Sequence, residues 1–148
     1  MFGYKPKLTS TSQTTLDIYQ ELPSKLVSGN YVPDFDYALS IKENTSFTST
    51  SGVGFVSQDF VDFSFSSSFD PTEITISQVL GNNPQYYLLK KSLNVISSTI
   101  KTNQFIFNDP QPFQTKELKG KNIIKILDVF DSDGNEWSEV DYLGQETI

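Results

Sequence analysis

Apolar and polar positions alternate with period two in several short runs of this chain. Phe63, Phe65 and Phe69 share one parity while Ser64, Ser66 and Ser68 take the other, which predicts a strand with rings on one face and hydroxyls on the opposite one. Ser67 interrupts that parity, so a bulge or bend is expected there. The run 73–77, after the turn at Asp70-Pro71, predicts a second strand, and 104–107, ending at Asn108-Asp109-Pro110, a third. Residues 86–90 and 93–101 read as strands as well, preceded by the loop Gly81-Asn82-Asn83-Pro84. Near the end, two apolar runs flank Asp131-Ser132-Asp133-Gly134-Asn135, where Gly134 and Asn135 suit the positive φ of a tight turn, and a β-hairpin is expected. Helix is expected only in short pieces, at 15–22 ahead of Pro23 or at 115–118.

Strands about ten residues apart, broken by Gly, Pro, Asn or Asp, make the expected fold all-β: an antiparallel sandwich or open barrel with short helical pieces. Composition agrees, since serine, threonine and aromatic residues are abundant and such side chains favour half-buried pleated surfaces. At 148 residues, one domain burying roughly two thirds of its unfolded surface is expected. Residues 1–32, with Pro6, a Ser/Thr run, Pro23 and Gly29-Asn30, read either as an extended N-terminal arm or as the first strand of the same domain. Residues 33–148 read as the β-domain, which the apolar end at Ile148 suggests continues in a longer native chain.

Candidate chemistry narrows quickly. The chain has no cysteine and no histidine, so disulfides, thiolate nucleophiles, Cys/His zinc sites and imidazole bases are excluded. A formal charge of −7 argues against a nucleic-acid partner, and no apolar run long enough to span a bilayer is present, so no membrane partner is expected either. Asp131, Asp133 and Gly134 resemble the start of a calcium loop, but with Gly134 as the sixth position the first would be Val129 and the twelfth Val140, so the spacing fails and no metal or other cofactor is expected. Asp59, Asp62, Glu136, Glu139 and Asp141 supply carboxylates without a spacing that separates catalysis from a solvated strand face, so no catalytic residue is assigned and the chain is not expected to be an enzyme. Tyr31, Tyr37, Tyr86, Tyr87, Trp137 and Tyr142 offer rings for core, interface or ligand stacking.

The phrase from Asp131 to Glu146, with its Asp-Gly-Asn turn, Trp137, Glu139-Val140-Asp141-Tyr142-Leu143 and Gln145-Glu146, resembles a segment of structural proteins of tailed bacteriophage particles. The order of elements upstream, from Phe69-Asp70-Pro71-Thr72 through Tyr86-Tyr87-Leu88-Leu89 to Phe105-Ile106-Phe107, is similar in a more diffuse way. Ser138 follows Trp137 where the resembling phrase often has Tyr, so no aromatic contact is expected at that position. The resemblance implies a non-enzymatic virion component, made in the host cytoplasm and assembling as repeated copies in the tail, baseplate or head-tail connection. Its partners would be copies of itself and other virion structural proteins, with Trp137, Tyr142, Leu143, Ile148, Tyr86 and Tyr87 as contact residues. The alternative is a carbohydrate-binding or host-attachment β-domain using exposed tyrosines, with a glycan as partner.

Overall fold

The computed structural model describes residues 11–140. Residues Ser12–Lys101 form one compact unit, and residues 102–140, with Thr11, belong to a second. The boundary between the two units falls after Lys101.

Two long strands organise the first unit. β1 (Gln13–Val27) lies antiparallel to β8 (Asn83–Ser97), in register from Gln13 opposite Ile96 to Pro23 opposite Tyr86. Between them in the chain come β2 (Asn30–Pro33), β3 (Ser40–Ile41), β4 (Ser46–Thr48), β5 (Gly54–Ser57), β6 (Val61–Asp62) and β7 (Glu73–Leu80). Six strands form one curled antiparallel sheet, a half-barrel, in the order β2-β1-β8-β5-β4, with β7 also paired to β8; β3 and β6 make a small second sheet. Thus β8 has β1 on one side and, on the other, β7 along its first half and β5 at its end.

Two-residue turns close the β1–β2 and β7–β8 hairpins. Ser28 and Gly29 both take positive φ between Val27 and Asn30, as a type I′ turn requires, and Gly81 supplies the single positive φ between Leu80 and Asn83. Residues 15–22, where helix was expected, belong to β1. Leu16, Ile18 and Leu22 share its inward parity, and Gln20 interrupts their apolar run. The remaining helical element in the described residues is one 3-10 turn, Phe35–Tyr37, capped by the Asp34 carboxylate accepting from the Asp36 N–H. Residues 115–118 are not helical.

Period two governs β8 as well. Tyr87, Leu89, Lys91, Leu93 and Val95 turn inward and are buried, while Tyr86, Ser92 and Asn94 face outward. Register sets inward residues against each other across the pair, Leu16 with Leu93, Gln20 with Leu89 and Leu22 with Tyr87. Val61 and Phe63 complete the buried cluster, with Ala38, Ile41, Phe47 and Phe55 packed at its margin. At roughly 25 cal/mol per Å² of apolar area, these side chains supply the main driving force of the unit.

Inward polar side chains each fasten a covering loop. Gln20 Nε2 donates to the Tyr37 carbonyl at 2.9 Å, and its Oε1 accepts from the Leu39 N–H at 2.9 Å. Lys91 Nζ donates to Asp70 Oδ2 at 2.6 Å and lies 6.0 Å from the Phe65 ring centroid. Ser57 Oγ donates to the Lys42 carbonyl and accepts from the Thr45 N–H. A buried polar group is costly unless paired. These pairings therefore fix where the segments 34–48 and 62–72 cross the open side of the sheet.

The expected strand across 63–69 does not form. Phe63 is buried, but Phe65 is exposed and Phe69 is 99% exposed. The hydroxyls bond locally instead: the N–H and Oγ of Ser64 both donate to Asp62 Oδ1, the Asp70 N–H donates to Ser67 Oγ, and the Thr72 N–H donates to Ser66 Oγ. Such side-chain bonds offer the backbone an alternative to a ladder. The Ser64 bonds hold the Asp62 carboxyl below its ordinary range.

Candidate assembly surface

The turn at 131–137 is built around one carboxylate. Asp131 Oδ1 accepts from the N–H groups of Asp133 and Asn135, both at 2.9 Å, and Oδ2 accepts from Asn135 Nδ2 at 2.9 Å and Trp137 Nε1 at 3.2 Å. The backbone closes the same loop, with Asp131 N–H donating to the Asn135 carbonyl and Trp137 N–H to the Val129 carbonyl. Gly134 takes φ +83°, while Asn135 acts through its side chain rather than through positive φ. These donors, the Asn135 amide first, hold the Asp131 carboxyl at about 2, against the opposing effect of burial. The expected hairpin is reduced to a single bridge between Phe130 and Glu136.

Trp137 is thereby fixed at its indole N–H while 64% of its surface faces solvent. Fixing the ring lowers the entropy lost when it is covered, which is what an interface anchor needs. Tyr86 and Tyr87 part company because neighbours on a strand face opposite ways. Tyr86 is partly exposed on the outer face, whereas Tyr87 is buried in the core with its hydroxyl donating to the Tyr31 carbonyl at 2.8 Å. Tyr87 is therefore core rather than surface. Tyr142, Leu143 and Ile148 lie outside the described residues.

The outer face of the long strand pair is a charged network. Lys90 Nζ stands 3.5 Å from Asp17 and 3.9 Å from Glu73, which raises its pKa, Asp17 contributing most. Glu21 on β1 accepts from Ser77 Oγ and from Gln78 Nε2 across the width of β8. Asn94 joins Thr15 to Asp59. Asp59 and Asp62 lie in the half-barrel unit, Glu136 and Glu139 in the other, and Asp141 outside the described residues.

Sequence pattern marked β7 as a strand without showing its isolation. Its one strand partner among the described residues is β8, and all eight of its residues are exposed, including Ile74, Ile76, Val79 and Leu80. A register shift at Ser77 leaves 73–76 as the regular part of that edge. Beside its start, Pro71, Thr72, Glu73, Lys90, Lys91 and Ser92 line a hollow of about 220 Å³, below the usual size of a small-molecule site. No helix among the described residues is long and apolar enough to cross a membrane. No protein-family model, curated protein or solved structure matches this chain.

Proposed function

We propose that this chain is a non-enzymatic structural component of a bacteriophage virion, assembling as repeated copies in the tail, baseplate or head-tail connection. The observation that carries the assembly reading is the outer edge of β7, which has no strand partner among the described residues and sets a row of main-chain donors and acceptors beside exposed Ile74 and Ile76. Apolar strand edges invite pairing with another chain, and although the bulge at Ser77 interrupts this one, its regular part, 73–76, carries neither the Lys nor the Pro that commonly blunt such edges. Exposed, pre-positioned Trp137 adds a second contact element, and the resemblance of 131–146 to phage particle proteins supplies the setting.

Density-gradient separation of lysate from the native source, with peptides of this chain quantified in each fraction, tests the proposal. Co-migration with large particles at fixed stoichiometry is the expected result. Recovery among small soluble species alone would overturn it, and affinity of the isolated chain for free glycan would favour the attachment alternative.

A further inference from the structure

We infer that copies of this chain join by strand donation, residues 123–127 of one copy pairing with the free edge of β7 in the next. This deepens the assembly reading proposed above and rests on it.

Three observations converge on that pairing. First, β7 is an edge strand with no strand partner but β8 among the described residues, and its regular part, 73–76, carries Ile74 and Ile76 on one parity and Glu73 and Thr75 on the other. Second, Ile123-Ile124-Lys125-Ile126-Leu127 has strand composition yet forms no ladder among the described residues, and Ile126 is exposed. A half-buried strand-type run outside a ladder can exchange its main-chain hydrogen bonds to water for those of a ladder. Third, the charges complement each other. Residues 116–128 hold Lys116, Lys119, Lys121 and Lys125 against Glu117 and Asp128, whereas the outer face of the sheet holds Glu73 on β7 and, beyond β8, Asp17 and Glu21 on β1 against Lys90.

Parity then fixes the register. Placing Ile124 and Ile126 beside Ile74 and Ile76 continues the apolar inner face, and Lys125 falls opposite Thr75 whether the added strand runs parallel or antiparallel. Lys125 then sits diagonally from Glu73, within reach of a long side chain. The other strand-type run of this region, Gln104-Phe105-Ile106-Phe107, carries no charge to meet those acids. Edge-strand addition draws affinity from the main chain and specificity from alternate side chains, and both are present here.

The chain lacks cysteine, so two single variants of the full chain give a clean test, Thr75→Cys and Lys125→Cys. Directly opposed residues in a ladder have Cβ atoms about 4.5–5.5 Å apart, close enough to cross-link with small adjustment. Mixed and oxidised with oxidised glutathione, the two variants should form a disulfide-linked heterodimer well above a Ser51→Cys control. Lys125→Glu should weaken self-association measured by sedimentation about tenfold, because it sets a like charge beside Glu73. Stable oligomers without the 75–125 cross-link would overturn strand donation and leave the assembly reading standing. A cross-link confined within single chains of the double variant would overturn it too, showing the segment folded onto its own copy. A chain that stays monomeric at all concentrations and is missing from particles would overturn both.

Discussion

The run 123–130 is richer than β8 in branched and aromatic side chains, yet β8 is laddered along nearly its whole length while 123–130 contributes a single bridge at Phe130. In the Ser12–Lys101 unit, β1 offers β8 an equally long partner joined in register, so each inward side chain meets another. In residues 102–140, strand-type runs at 104–107 and 123–127 find no such partner among the described residues, and Ile106, Phe107, Ile126 and Phe130 stay exposed. Apolar alternation therefore states which face a strand would bury, and pairing decides whether there is a strand. Local order persists in 131–137 because one carboxylate supplies what a ladder does not.

The sharpest way to break the contrast is to empty the core of the laddered unit. Leu89→Ala, at a side chain with no exposure, should cost about 2–5 kcal/mol in denaturant unfolding. The turn around Trp137 should keep its fluorescence under conditions where that unit has lost its far-ultraviolet β-signal. Next in size, Asp70→Ala leaves the buried Lys91 ammonium without its partner and should cost roughly 1–3 kcal/mol, whereas Lys91→Met, which removes the charge and keeps the volume, should cost less. The reverse order would show that the ion pair does not fasten the 62–72 loop. Gly29→Ala, at φ +84°, should lower stability by about 1 kcal/mol, the expense of a Cβ in the left-handed region.

The smallest effect on global stability is expected from Asp131→Ala, which should leave the unfolding midpoint of the laddered unit unchanged while altering the emission of Trp137, the sole tryptophan. The same group gives a pH signature. Its carboxyl is depressed from 3.8 to about 2, so its contribution is fully present above the ordinary value and is lost as pH falls through about 2. Trp137 emission should hold steady from neutral pH to about 4 and change near 2, and a change centred near 4 would contradict the hydrogen-bonded turn.

Several of these features are legible in the residues themselves. Strand-forming composition points to an all-β chain, Gly81-Asn82 to a turn, and 73–77 to β7. Other expectations failed for definite reasons. Gln20, polar at an inward position, hides the alternation of Leu16, Ile18 and Leu22, because its pairing with Tyr37 and Leu39 lies far along the chain. Ser64 and Ser66 alternate with the phenylalanines and Ser67 breaks that parity, yet all three hold their segment in turns. Tyr86 and Tyr87 look alike, and parity within the folded sheet sends one to the surface and one to the core.

What the sequence by itself determined is local: backbone preference, the parity of apolar positions, the positive-φ turns, and the Asp131 to Trp137 turn, whose partners lie within six residues. Tertiary structure alone decided that Lys91 is buried against Asp70, that β1 runs the length of β8, and that β7 pairs with β8 alone among the described residues. Those outcomes depend on groups tens of residues apart competing for the same partner. Such a competition is settled by packing and register across the whole unit, and no short window of residues contains it.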